Sequence, residues 1–274
     1  MNPEFFIHAS EDAKHLYMSR TDRIKSDAFS PCEMTPDDVD YEMSRGKHPQ
    51  VLRLTGMNQR SFEYFVQHYA KNYRYLSFFK SQLISNFSPL EDLPNLEEVS
   101  VYWNIRADRL WNMQKNTSLK SLEIIDAKKI TLKPDLIRTG SALEEIRFKG
   151  SAFNNFPMES LAPFAGMPRL KHLTLQSIRL NDKSMDVLST LPSLERFDFD
   201  PGMLTTEEIA CLAARFPQLS GDFMGPWGTE FQTEKYIRVS GFRKPTLVLP
   251  EQQKRLDKYI DQFNKLVEKY RAEL

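Results

Sequence analysis

The sequence is poor in cysteine: its 274 residues include only two, Cys32 and Cys211, which are far apart along the chain. A small secreted domain held by disulfides needs more, and no CxxC pair indicates a metal site. No apolar run approaches the roughly 20 residues of a membrane-spanning helix. The first residues, MNPEFFIHASEDAKH, carry acids where a signal peptide has a basic and then an apolar stretch. We therefore expect a cytoplasmic protein.

The chain also lacks an excess of either charge, because lysine plus arginine and aspartate plus glutamate both number 37. Nucleic acids and anionic membranes usually select proteins with a clear basic excess. We therefore expect neither kind of partner. A hydrophobic content of 41% and an aromatic content of 12% are typical of a folded globular protein.

Sequence motifs of the common catalytic sites are missing as well. The chain contains no GxxxxGK[ST], GxGxxG, HExxH or GxSxG motif, and its five histidines have no partners at ligand spacing. Cys211 lies in an apolar run, where a buried small hydrophobe is the simpler interpretation. We expect no cofactor and no metal.

What the sequence does contain is a repeated hexapeptide with apolar residues at its first, fourth and sixth positions. Successive copies are spaced by 24, 23, 23, 24, 27, 24 and 25 residues, and 22 of the 24 apolar positions fit, all but Pro49 and Asp222. The alternating apolar residues predict a short strand that cannot bury its own side chains and must stack on its neighbours. The copies are PQVLRL from residue 49, YRYLSF from 73, LEEVSV from 96, LKSLEI from 119, LEEIRF from 143, LKHLTL from 170, LERFDF from 194 and LSGDFM from 219.

This pattern, LxxLxL at a period of 20–29 residues, resembles the leucine-rich repeat family over residues 49–226. The resemblance implies an α/β solenoid, with a parallel sheet on the concave face and short helices on the convex face. The helical halves look most like the cysteine-containing and ribonuclease-inhibitor-like types, and the chain resembles uncharacterised bacterial members. It departs from the family at the asparagine column, which holds Asn104 in one repeat but other residues elsewhere.

The second half of each repeat predicts a helix. In TTEEIACLAARFP, Thr205 followed by Glu208 forms a capping-box pattern ahead of an apolar face. In NDKSMDVLSTLP we expect a similar helix, with Asn181 or Asp182 at its cap and Leu188 facing inward.

The two ends lack the repeat and are predicted to cap it. Residues 1–48 predict a helical cap, with one helix from Ser10 and a shorter one from Thr35; a small recruiting module is the alternative. Residues 227–274 predict a C-terminal cap, with one or two short strands and an amphipathic helix over 250–272. Its apolar stripe packs on the last repeats, or pairs with a second copy or another protein. We expect a monomer.

Stacking places equivalent residues of neighbouring repeats side by side. Glu145 then flanks His172, and Glu123 flanks Arg147. A catalytic acid–base pair could use Glu145 and His172, but an exposed ladder of ion pairs explains the same residues and is the interpretation we favour.

The most individual feature of the repeats is a group of aromatic residues at the strand ends. Phe79, Tyr102 and Trp103 come from adjacent repeats, with Tyr75 nearby. On the concave face they would form a patch of the kind enriched at protein-binding hot spots. The alternative is that Phe79 and Tyr102 turn inward and cover the core.

We therefore predict a non-enzymatic protein-interaction module that binds an unidentified protein partner through its concave face. Three alternatives remain open: a small molecule or glycan stacking on Tyr102 and Trp103, an enzyme using His172 with Glu145, and a structural protein that self-associates through its C-terminal helix. The predicted partner-binding residues are Tyr75, Phe79, Glu98, Tyr102, Trp103, Glu123 and Arg147.

Overall fold

The fold is described by a computed structural model, for residues 16–18, 34–45, 51–151, 155–230 and 233–274. It is a mixed α/β fold whose main sheet has eight parallel strands standing side by side in chain order. These are β1 (Leu16–Met18), β2 (Val51–Thr55), β3 (Tyr75–Phe79), β4 (Glu98–Tyr102), β5 (Ser121–Ile125), β6 (Glu145–Lys149), β8 (His172–Gln176) and β10 (Arg196–Phe199).

Two smaller sheets accompany the main sheet. The first is a parallel pair, and the second is an antiparallel sheet of three strands near the C-terminus. They are formed by β7 (Phe156–Met158) with β9 (Ile178–Leu180), and by β11 (Trp227–Glu230), β12 (Thr233–Val239) and β13 (Thr246–Val248).

Five α-helices and five 3-10 helices complete the described part of the chain. None of these helices combines the length and the apolar character that crossing a bilayer requires. The α-helices are α1 (Pro36–Arg45), α2 (Gln59–His68), α3 (Lys128–Leu132), α4 (Thr206–Arg215) and α5 (Gln253–Glu273); the 3-10 helices are Ala70–Asn72, Ser88–Asp92, Asp135–Thr139, Ala162–Phe164 and Asp186–Thr190.

The core lies on one face of the main sheet and contains every apolar position of the repeat. All 22 of these side chains are buried, with exposed fractions of 9% or less. Seven of the eight copies form a strand, which confirms the predicted alternation. The eighth, LSGDFM, is not a strand and contributes a single bridge between Ser220 and Arg196. Its core position holds Asp222, whose carboxylate instead accepts a hydrogen bond from Arg196 at 2.7 Å.

Several segments between the strands are 3-10 helices, where the sequence predicted α-helices. In one of them the buried side chains recur every three residues, as Phe87, Leu90, Leu93 and Leu96 do. This is the period of a 3-10 helix, in which side chains three residues apart are eclipsed. The Leu90 amide accordingly donates to the carbonyl of Phe87, three residues back, at 3.0 Å.

Of the two helices predicted explicitly within the repeats, one is confirmed and one is wrong. Thr205 caps α4, and its side chain and that of Glu208 form the expected capping box. The helix expected to begin at Asn181 or Asp182 is instead the 3-10 helix Asp186–Thr190. Leu188 faces inward as predicted, but it follows Met185 at the spacing of a 3-10 turn.

The N-terminal prediction is right in its second helix and wrong in its first where the structure describes it. Helix α1 starts at Pro36, and Thr35 and Asp38 bond reciprocally at its N-terminus. Residues 16–18, expected to be helical, are the strand β1, which pairs with the edge of β2. An unpaired strand edge exposes backbone donors and acceptors that a further strand can satisfy. The rest of the predicted first helix lies outside the described residues.

At the C-terminal end, the predicted amphipathic helix is present as α5. Its residues Phe263 and Val267 join the main core, while Leu256 packs with Ile237 and Leu247 of the antiparallel sheet. Helix α5 also contacts α4, so its apolar stripe packs on the last repeat. Strands β12 and β13 match the expected short strands, and β11 is an additional strand that the sequence analysis missed.

Candidate functional site

The face of the main sheet opposite the core, which we call the polar face, shows the side-by-side arrangement that the repeat predicted. Tyr75 pairs with Glu98, and Phe79 with Tyr102, between β3 and β4. Glu123 lies beside Arg147 between β5 and β6. The third-position column of the repeats has the predicted register; it consists of Tyr75, Glu98, Ser121, Glu145, His172 and Arg196.

An aromatic stack crosses three strands of this face. The rings of Phe79 and Tyr102 are parallel within 10°, with their centroids 4.7 Å apart. The guanidinium of Arg53, on β2, lies 4.4 Å from the centroid of Phe79. Among the described residues, neither ring packs against the main core cluster, and both are partly exposed. The stack is therefore part of the polar face.

Trp103 follows Tyr102 directly, just past the carboxyl end of β4. Its φ of 57° is left-handed, and so are the φ values of Lys80 and Asp126 at the same position of the neighbouring repeats. The Trp103 amide donates to the carbonyl of Ile125 at 2.8 Å, so this turn continues the sheet ladder. The Lys80 ammonium lies 5.9 Å from the Trp103 ring and 5.4 Å from Phe79. The ladder fixes the backbone of Trp103 in a conformation that most side chains disfavour.

Two residues of this site were not predicted from the sequence. Arg53 and Lys80 were not among the predicted site residues, although both contact Phe79. The register was only a partial signal: it pairs Arg53 with Ser77, two residues before Phe79 on the same face of the sheet, and Lys80 follows Phe79 directly along the chain. A cation placed over an aromatic face is attracted by the negative potential of the ring.

The expected exposed ladder of ion pairs is not exposed. Glu98, Glu123 and Glu145 are 2%, 6% and 3% exposed. Glu123 also pairs differently from its neighbour in the register: its carboxylate lies 3.8 Å from the Lys149 ammonium and accepts from the Ser100 hydroxyl at 3.0 Å. These carboxylates therefore pack beneath the surface, where their charges depend on close partners.

Burial raises the pKa of Glu123, and the attraction of Lys149, the Ser100 hydrogen bond and the attraction of Arg147 only partly oppose it. The folded protein therefore holds a proton on Glu123 more readily than the unfolded chain does. The stabilisation linked to that proton is complete below the ordinary value of 4.5 and is lost as the pH rises through the raised pKa.

We expect Glu123→Gln to be more stable than the wild type at pH 7 by about 1 kcal/mol, because glutamine removes the buried charge and keeps a partner for Ser100. The difference should shrink towards pH 4. Urea unfolding at both pH values measures it. Glu195→Gln, at an exposed carboxylate, is the control and should change stability little. Equal stability of Glu123→Gln and wild type at both pH values would show that burial of the charge has no net cost.

Glu145 and His172 are not arranged as a catalytic acid–base pair. Glu145 is beside His172 in the sheet register, but its carboxylate accepts from the Arg147 guanidinium at 2.8 Å. Within the described part of the chain, no group of three or more histidine, cysteine, aspartate or glutamate side chains is placed to hold a metal ion.

Comparisons with known proteins leave the family of this chain open. No family model matches it, and no curated protein matches it. Among solved structures it is similar to an internalin (InlF) from Listeria monocytogenes, at 16% sequence identity and a TM-score of 0.36. The match covers 69% of this chain and 62% of that one, less than two thirds of the internalin. So low a TM-score does not establish a shared fold, and the repeat assignment rests on the spacing and register of the chain itself.

Proposed function

We propose that this chain is a leucine-rich-repeat solenoid that binds a protein partner, without catalysis, through the polar face of its sheet as the concave surface. The observation that carries the proposal is the stack of Arg53, Phe79 and Tyr102 across three neighbouring strands. Trp103 follows Tyr102 at the carboxyl end of β4, and the Lys80 ammonium lies near both its ring and that of Phe79. Aromatic side chains are enriched among the residues that dominate the binding energy of protein interfaces. Arg53 is 4% exposed and supports the Phe79 ring from within the fold.

The rigidity of this patch supports the same function. Its backbone belongs to hydrogen-bonded strands, and its rings already contact each other. A partner then pays little conformational entropy to bind them. The patch also keeps part of its apolar surface exposed, which a folded protein normally minimises unless the surface has a role.

Six of the seven predicted binding residues divide into two groups by burial. Phe79, Tyr102 and Trp103 are partly exposed and would contact the partner directly. Tyr75, Glu98 and Glu123 are buried, and we assign them a supporting role beneath the surface. The seventh, Arg147, is partly exposed and donates a hydrogen bond to the Glu145 carboxylate.

Affinity capture from the lysate of the source cells tests the proposal. The baits are the wild type and Tyr102→Ala/Trp103→Ala, with circular dichroism to show that both are folded. We expect the wild type to retain a protein that the variant loses, with at least a tenfold drop in recovery. The matched control is Trp227→Ala/Phe242→Ala, which removes two exposed aromatics elsewhere.

Two results would count against this assignment. If all three baits retain the same proteins, the aromatic patch is not the binding surface. The second result concerns substitutions in the neighbouring repeats, at Ile125 and Lys149. If they leave binding to a captured protein unchanged, while replacing Tyr102 alone abolishes it, a small ligand carried by that protein is the better explanation. A protein partner buries a wide patch and should respond to substitutions over several repeats.

A further inference from the structure

Exposed cations and exposed aliphatic side chains lie together past the carboxyl ends of β4 and β5, next to Trp103. We call this surface the basic ridge, and it consists of Ile105, Arg106, Lys128, Lys129 and Leu132. Ile105 is 46% exposed and Leu132 is 43% exposed, and the three cations are exposed as well. Single exposed aliphatic side chains are ordinary on a protein surface. Here two of them lie beside three exposed positive charges.

The ridge is built by two neighbouring repeats. Trp103 and Asp126 hold equivalent left-handed positions, and their amides donate to the next strands at 2.8 and 2.9 Å. Ile105 lies two residues after the first of these turns and Lys128 two residues after the second, so they occupy equivalent places. Leu132 is one turn further along α3 from Lys128 and therefore lies on the same side of that helix.

The charge of the ridge is not neutralised by nearby acids. Two carboxylates lie close to the ridge along the chain, Asp108 and Asp126. Asp108 is bonded to Arg109 at 3.2 Å and lies 3.9 Å from Lys133, and Asp126 forms no ion pair with any described residue. In the part of the chain that the structure describes, Arg106, Lys128 and Lys129 take part in no ion pair. A positive patch in a chain of zero net charge therefore needs another explanation.

We propose that the basic ridge binds an acidic segment of a protein partner, a segment that also carries apolar side chains. The inference rests on the proposed function, because the ridge continues the aromatic patch from Trp103 past the carboxyl ends of the strands. Carboxylates of the segment pair with Arg106, Lys128 and Lys129, and its apolar side chains cover Ile105 and Leu132. Complementary charge of this kind speeds association and selects among partners.

The geometry favours a polypeptide over an anionic membrane. Strand side chains stand perpendicular to the sheet, whereas the ridge lies beyond the strand ends. The aromatic patch and the ridge therefore face different directions. A flat bilayer contacts one of them at a time, but an extended segment can follow both.

Titration of the full-length protein with designed peptides tests the inference, with nuclear magnetic resonance shifts as the readout. One peptide of about twelve residues contains glutamate and leucine, and the second has glycine in place of each leucine. We expect the leucine peptide to bind at least tenfold more tightly, with the largest shifts at the ridge. Arg106→Glu/Lys129→Glu should weaken binding roughly tenfold. Lys254→Glu/Lys258→Glu, the same charge change on α5, should leave it unaltered.

Three results would overturn the inference: equal binding of the two peptides, equal loss in both charge-reversal variants, or binding of phosphatidylserine vesicles in place of the peptides. Tyr102→Ala/Trp103→Ala separates this inference from the proposed function. If only that variant loses the peptide, the ridge assignment fails and the aromatic patch stands. If only the ridge variant loses it, the ridge binds acidic segments and the aromatic patch is not part of the site.

Discussion

Replacing Asn104 with alanine is expected to lower the free energy of unfolding by roughly 4 kcal/mol. The side chain is 2% exposed and makes four hydrogen bonds to backbone groups. Its amide nitrogen donates to the carbonyls of Ser81 and Ile84 at 3.0 and 2.8 Å. Its oxygen accepts from the amides of Arg106 and Ala107 at 3.1 and 2.8 Å. Alanine leaves all four backbone groups without this partner, and each buried loss costs about 1–3 kcal/mol.

Urea unfolding followed by circular dichroism measures this loss, and two further variants interpret it. Asn104→Asp retains the accepting oxygen but turns the donor into a second acceptor, so it should destabilise at least as much. Asn95→Ala, at an exposed asparagine, should stay within about 0.5 kcal/mol of the wild type. A loss below about 1 kcal/mol for Asn104→Ala would mean that water replaces the amide.

Phe263→Ala is expected to destabilise the protein by about 3 kcal/mol. The ring is 4% exposed and belongs to the main core through its contact with the end of the repeat array. It lines a groove of about 310 Å³ together with Phe216, Leu219 and Met224. Alanine enlarges this groove, and the remaining side chains cannot collapse far because α4 and its turn hold them.

The same unfolding experiment checks this effect, with Phe242→Ala as the matched control. Phe242 is 54% exposed, so its removal should change stability by less than about 0.5 kcal/mol. Light scattering on both variants shows whether exposing the groove drives self-association. If Phe263→Ala unfolds at the wild-type midpoint, helix α5 is not part of the cooperative unit.

The segments that connect one repeat strand to the next show where a local pattern was visible in the sequence but misinterpreted. The inward residues of NDKSMDVLSTLP, Met185, Leu188 and Leu191, are spaced by three, and the same spacing recurs in Leu161, Phe164 and Met167. An α-helix places inward residues at mixed steps of three and four, whereas strict steps of three indicate a 3-10 helix. The sequence therefore contained the signal for these shorter helices.

By itself, the sequence determined seven of the eight strands of the main sheet, the burial of the repeat positions and which residues stand side by side on the polar face. It could do so because strand side chains alternate with a period of two and parallel copies stack in register. Only the tertiary structure decided that Glu98, Glu123 and Glu145 are buried, that Glu123 pairs with Lys149, and that Arg53 covers the Phe79 ring. Burial and pairing depend on rotamers and on how the neighbouring strands fill the space around a side chain, and repeat spacing carries no information about either.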